Sequence, residues 1–418
     1  MSRNGKFVSL SGVNRNMPIH TNRHYLVVLA FCIRCSVGLH AEEPGDAFRE
    51  GFEKSGSIIV PAQIMGRNVT CMLDTGASIC VLDKRFAARL QKPVGTEQVL
   101  TASGLMTVEQ YEGISQHFMT LPHVTGPAIA SDLSRMTSLV GIELDAVFGM
   151  DLLKRSILQF SNGTPRFRNR NDVVFDGMSF PVTTIRRCPY IAVGLPVLGE
   201  RPFLIDTGWA SYCGITKDYA DRLIRTNDAI FVDETIRLDA SGVRQKNAYV
   251  IREVNVLGIR IYDVPAVESE VNLIGLGIMR QLECSVDFEN SVAYVHKSST
   301  GRVSFDVDAS GLRTVTQPDS RVIVHLAMPD SSAVKNNIQA GDQLLEIEGH
   351  AASSLAYWEI RRLLSQAGKT IPLKVKSGDQ VRDIQLPLRR NFEYPPKWKP
   401  RSTDAEDFLE SLENEAKP

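Results

Sequence analysis

The chain has 418 residues, with 47 Lys and Arg against 48 Asp and Glu, a formal net charge of −1. That balance lacks the basic footprint of a nucleic-acid binder, and 43% hydrophobic with 23% charged residues excludes a chain too polar to fold. The length exceeds a usual single domain, so two or three are expected.

At the N-terminus, Arg15 and Arg23 precede an apolar run from Tyr25 to Ile33. Arg34 interrupts it, and Leu39-His40-Ala41 offers a cleavage site ending in a small residue. The run is too short to span a bilayer comfortably, so residues 1–41 are expected to be a signal peptide that exports the chain to a periplasmic or extracellular space, with no stable membrane span. A start at Met17 gives a more ordinary charged region; an arm that stays attached, or an uncleaved anchor, is the plainer alternative. Cys32 and Cys35 lie in this segment. The remaining Cys71, Cys80, Cys188, Cys213 and Cys284 are odd in number, and their spacing fits neither a zinc site nor a dense disulfide framework. Several lie in apolar runs, where Cys is a small core residue.

Beyond the leader the chain repeats itself. In the first copy Ile58-Ile59-Val60-Pro61-Ala62 leads through Gly66-Arg67-Asn68 to Asp74-Thr75-Gly76; in the second, Ile191-Ala192-Val193-Gly194-Leu195 leads through Gly199-Glu200-Arg201 to Asp206-Thr207-Gly208. Both read as hairpins ending in a carboxylate. Turn signals follow at Ser103-Gly104 and Ser241-Gly242. Each copy closes with an apolar pair before Gly, at Val147-Phe148-Gly149 and Leu273-Ile274-Gly275, then a short helix and a strand. The Asp-to-Gly spacing is 75 residues in the first copy and 69 in the second. A duplicated lobe explains four features in one order at near-equal spacing. The polar stretch Asn162 to Asn171 reads as the link between lobes.

A composition shift after Val295 marks a further, small α+β unit from about Val303 to Leu388. Strands are expected over Val322–Leu326, Leu344–Ile347, Thr370–Lys376 and Val381–Leu388, and a helix over Leu355–Gln366, with Gly368 just past its end. Pro400 to Pro418 is charged and mostly acidic, a solvated tail. The organisation is thus a leader over 1–41, a first lobe over 42–170, a second over 171–300, a small domain over 301–392 and a tail over 393–418.

A carboxylate beside buried strand residues is disfavoured unless something pairs with it. Two of them on matching lobes point to each other, and two acids sharing one proton can activate water. The bland reading is that Asp74 and Asp206 only cap loop hydrogen bonds. The eight His are scattered without metal spacing, no Gly-x-Ser-x-Gly elbow occurs, and Gly275-Leu276-Gly277 lacks the third Gly of a dinucleotide loop. No metal or other cofactor is expected.

The segment from Gly56 to Val295, with Asp74-Thr75-Gly76-Ala77-Ser78, Asp206-Thr207-Gly208, Phe148-Gly149 and Ile274-Gly275, resembles the aspartic proteases of the compact bacterial and retroviral-like kind. The resemblance implies a mainly β fold of two barrel-like lobes and an endopeptidase acting on polypeptide. Asp74 and Asp206 would be the catalytic pair. Thr75 and Thr207 would hydrogen-bond across the lobes beneath them, and Gly76 and Gly208 would hold the carboxylates through their N–H groups. The segments around Ser103-Gly104 and Ser241-Gly242 would be the hairpins that cover an extended substrate, both acting as flaps as in retroviral proteases or one alone as in pepsin-like enzymes. One departure is Trp209, which follows the second triplet where the family prefers Ser or Ala. It would fill a specificity pocket or mark a shifted loop; in the latter case the chain would be a non-catalytic peptide binder.

The last unit, with Ser310-Gly311-Leu312, Ser331-Ser332-Ala333, Ala340-Gly341-Asp342 and Gly349, resembles a PDZ domain of exported bacterial proteases. That implies that Gly311 and Leu312 form a loop capturing the carboxylate of a protein C-terminus. A small half-barrel that binds nothing is the plainer alternative.

Overall fold

The structure is a computed structural model. It describes residues 25–26, 56–101, 104–118, 121, 123–140, 142–239, 242–296, 303–305, 307–317, 319–355 and 357–390. Nearly all of the expected leader, the charged tail and the two hairpin tips at 102–103 and 240–241 lie outside these residues. Tyr25–Leu26 is the described part of the leader, a short strand parallel to Val99–Leu100. No described helix is long and apolar enough to cross a membrane.

Both copies of the repeat form closed six-stranded barrels with the same order. In the first, Gly104–His117, Ile59–Ile64, Arg67–Leu73, Ala146–Phe148, Cys80–Asp83 and Val124–Ser131 follow one another, and the last pairs back to the first. In the second, Gly242–Val256, Cys188–Leu195, Gly199–Asp206, Leu273–Gly275, Cys213–Ile215 and Ile259–Glu268 do the same. Local sequence dictates these strands. Ile59, Val60, Ala62 and Ile64 turn inward while Pro61 and Gln63 face solvent, the alternation of a half-buried strand. Met65 and Gly66, both at positive φ, close a two-residue turn into Arg67–Leu73. The second copy makes the same hairpin with one more residue, Pro196 to Leu198, so Tyr190 faces Leu204 where Ile59 faces Met72.

A parallel strand pair lies at the centre of each barrel. Leu73 pairs with Phe148 and Asp206 with Gly275. Both Asp-Thr-Gly triplets therefore emerge at the end of a strand whose neighbour runs into Gly, Gly149 just past Phe148 in the first barrel and Gly275 in the second. A Cβ on Gly149 would stand 2.6 Å from the carbonyl oxygens of Ala77 and Ile79, and one on Gly275 2.4 Å from those of Trp209 and Ser211. Only glycine leaves room for the loop to turn back there.

The expected link at 162–171 is a hairpin instead. Asn162 and Gly163 both have positive φ and turn Ile157–Ser161 into the strand Thr164–Arg168. Asn-Gly is itself a hairpin signal, outweighed in the sequence by the surrounding Pro and Arg. These strands join a sheet shared between the halves: Leu158 pairs with Val286 and Gln159 with Ser285 in antiparallel register, and Met178–Pro181 completes it beside Val292–Val295. Leu158, Phe160, Val286 and Ala293 are buried beneath it. At roughly 1.5–3 kcal/mol for each large side chain, they fix the halves against one another.

The small unit comprises strands Leu312–Thr316, Val322–Ala327, Gln343–Ile347, Thr370–Ser377 and Gln380–Pro387 in that order, with the helix Tyr357–Leu364. Its own core runs from Ala309 to Leu388. Residues Val303–Ser304 instead pair with Ile261–Tyr262 of the second barrel, and Phe305 joins the barrel core. The unit thus begins a few residues later than the composition shift suggests.

Candidate active site

Four hydrogen bonds tie the two triplets together. Thr75 Oγ1 donates to Ile205 O at 2.7 Å and accepts from Thr207 N at 3.0 Å. Thr207 Oγ1 donates to Leu73 O at 2.9 Å and accepts from Thr75 N at 2.9 Å. Each hydroxyl spans the interface, and all four residues are buried. Water has no access to replace these bonds, so losing one leaves an unsatisfied buried group.

The grip brings Asp74 and Asp206 together. Both are buried, and Asp206 lies close enough to act on the ionisation of Asp74. Gly76 N donates to Asp74 Oδ1 at 2.7 Å, and Trp209 N donates to Asp206 Oδ1 at 3.1 Å. The glycines are placed crosswise. A Cβ on Gly76 would lie 2.8 Å from Asp206 Cγ, and one on Gly208 2.5 Å from Asp74 Cγ. Each carboxylate thus sits against the bare backbone of the opposite loop.

Burial pushes the Asp74 pKa up to about 7, more than offsetting the N–H groups of Gly76, Ala77 and Gly208 and the Asp206 carboxyl, which pull it down. Two ionised carboxylates this close would repel one another, which favours a single proton held by the pair.

Trp209 is core. Its indole packs with Cys188, Tyr190, Leu204 and Leu273, and its backbone N–H still reaches Asp206. The corresponding first-lobe cluster contains Ile59, Met72, Ala77 and Val147. The second loop has accommodated the indole without displacing its Asp. The first-lobe cluster also includes Val99 and Val108 from the hairpin Gly95–His117, and Leu133, Met136 and Val140.

Cys188 was not singled out by the sequence. Its thiol donates to Gly76 O across the lobes at 3.4 Å and is fully buried. Burial, with Asp74 and Asp206 nearby, pushes the thiol pKa well up, which keeps the donor protonated. The matching first-lobe position is Ser57, also buried; the one-residue difference between the hairpin turns hides the correspondence in the sequence. The five described cysteines are free, and no cluster that could hold a metal occurs among the described residues.

In the small unit, Gly311 and Leu312 are buried and their N–H groups are engaged within the chain. Gly311 N donates to Asp308 Oδ2 and Leu312 N to Ser310 Oγ, both at 3.0 Å.

Residues 60–151 match the aspartyl protease family model, and residues 295–376 match the PDZ domain model. The chain joins an aspartyl-protease-like domain to a C-terminal PDZ domain. No curated protein matches it. Among solved structures it is similar to a photosystem II D1 C-terminal processing protease, at 23% identity over 22% of this chain and 25% of that one, with a TM-score of 0.20. So low a score carries no argument.

Removing the Thr75 hydroxyl strands Ile205 O and Thr207 N. Thr75→Ala should therefore cost about 1–3 kcal/mol for each stranded group, whereas Thr75→Ser keeps the hydroxyl and should stay within about 1.5 kcal/mol of wild type; denaturant unfolding measures both. A second expectation concerns pH. Because the folded pKa of Asp74 is raised, its protonated form favours the fold: that contribution is complete below its ordinary 3.8 and is lost as pH rises through about 7. Melting temperature should fall across that window, and Asp74→Asn should flatten the fall.

Proposed function

We propose that the two barrels form an aspartic endopeptidase and that the PDZ domain binds substrate or a partner polypeptide. The observation that supports this most is the crosswise placement of Gly76 and Gly208 against Asp206 and Asp74, held by the two threonines. A carboxylate pair that only capped its own loops would not need two bare backbones facing it.

The chemistry follows from the shared proton. The ionised carboxylate takes a proton from a water molecule as its oxygen attacks the scissile carbonyl carbon. The protonated carboxyl gives its proton to the carbonyl oxygen, which neutralises the developing charge. Collapse of the tetrahedral intermediate breaks the C–N bond: the first carboxyl passes its proton to the leaving amine, while the second takes one back from a hydroxyl of the intermediate as the product carbonyl reforms. The pair ends singly protonated, as it began. No metal or covalent intermediate enters this scheme. The hairpins Gly95–His117 and Ala229–Val256 are two flaps under which an extended polypeptide lies, pairing through its backbone.

The alternative, a peptide binder without catalysis, drew its support from Trp209. With the Trp209 indole in the core and its backbone N–H on Asp206, no specific observation favours that reading. The proposal includes export by the leader at 1–41, which N-terminal sequencing of the mature chain would test.

Asp74→Asn and Asp206→Asn should each lower cleavage of an unfolded protein by roughly 10²–10⁴-fold while leaving the protein folded. Equal activity in wild type and both variants would remove the enzyme reading. Activity should also fall as pH rises through about 7, where Asp74 loses its proton.

A further inference from the structure

The loop before the strand Leu312–Thr316 is the place where the PDZ resemblance expects a peptide's terminal carboxylate. A carboxylate is bound there, and it belongs to the chain. Asp308 Oδ2 accepts from Gly311 N at 3.0 Å and from Arg313 Nη1 at 2.9 Å. Asp308 Oδ1 accepts from Ser310 Oγ at 2.8 Å, and Arg361 Nη1, from the helix Tyr357–Leu364, lies 4.0 Å from it. Ser310 Oγ in turn takes the Leu312 N–H at 3.0 Å. Both N–H groups expected to receive a ligand are therefore used.

The arrangement is fixed. Gly311 has φ +76°, and a Cβ on it would lie 2.1 Å from Ser331 Cβ, so the loop is packed against the next turn. Only 6% of the Asp308 side chain is exposed. Burial pushes its pKa up, but Arg313, Arg361 and Ser310 outweigh that and hold it below the usual carboxylate range. It is an anion at neutral pH. A second carboxylate arriving here would meet a like charge and no available Gly311 or Leu312 donor. The neighbouring strand Leu312–Thr316 has a different status. It pairs with Val322–Ala327 on one side and forms the end of its sheet among the described residues. Its outer edge can pair with an extended chain through the backbone.

We propose that Asp308 is the resident occupant of the PDZ carboxylate loop, so that the domain binds extended internal segments of polypeptide along Leu312–Thr316 and does not select free C-termini. The inference rests on the reading of this unit as a polypeptide-binding domain. The interior of an unfolded chain, rather than its end, is then what the domain presents to the barrels.

The test uses the full chain carrying Asp74→Asn and Asp206→Asn, so that cleavage does not confound binding. An array of decapeptides tiling an unfolded protein such as casein is synthesised twice, with free acid and with amide C-termini. With Asp308 intact, paired signals should agree within about twofold. Asp308→Ala and Asp308→Ser, which vacate the anion position, should raise the acid-to-amide ratio about tenfold, the scale of one charge-assisted interaction. A tenfold acid preference with Asp308 intact overturns the proposal alone. So does the absence of any gain in both variants when they melt like their parent. Binding of no peptide by any of the proteins removes the polypeptide-binding reading and this inference with it. If both substitutions unfold the domain, the comparison with Asp308 intact still decides whether free ends are selected.

Discussion

Two threonine hydroxyls hold the centre of this molecule. Bringing two carboxylates together inside a protein is unfavourable, because each repels the other when ionised and each loses its water. The structure keeps them close by making separation costlier. Thr75 and Thr207 each donate to the opposite strand's carbonyl and accept the opposite loop's N–H. Pulling the halves apart would leave three buried polar groups on each side of the break to find new partners. The single proton proposed for the pair would be a consequence of that enforced proximity.

The barrels make the grip geometrically available. In each, the Asp strand runs parallel to a short strand running into Gly, and the loop folds back over that Gly. A sheet built from both halves, with Leu158 opposite Val286, sets the distance between the barrels. Packing thus positions the loops, and hydrogen bonds then lock them. Cys188 adds a weak strut in the same place, a buried thiol on the carbonyl of Gly76.

Much of this was legible in the residues. The duplicated triplets, the paired Gly after apolar strands and the short helices Met150–Leu153 and Leu276–Met279 followed from pattern alone, because repeats reveal themselves by comparison within the chain. The strands of the small unit were also near their expected bounds, since alternation is a local signal. What depends on distant contact was not legible. Asn162–Asn171 reads as a linker because its polar residues face solvent, while its hairpin is held by a partner strand more than a hundred residues away. Trp209 reads as an intrusion because the cavity that takes it is lined by Cys188, Tyr190 and Leu273, which no local window contains. Asp308 lies three residues before Gly311 and looks like an ordinary turn acid; its role appears only once Arg361 arrives from a helix some fifty residues on.

The contrast between Ala77 and Trp209 has an evolutionary reading. An assembly of two identical subunits must carry the same residue on both sides of its axis, so any change is made twice. Tandem fusion removes that obligation. Here one half keeps a methyl group behind its carboxylate loop and the other has grown an indole, backed by Tyr190 where its twin has Ile59. All four residues are buried, so the difference lies in how each half packs beneath its own loop, while the two carboxylates keep matching places.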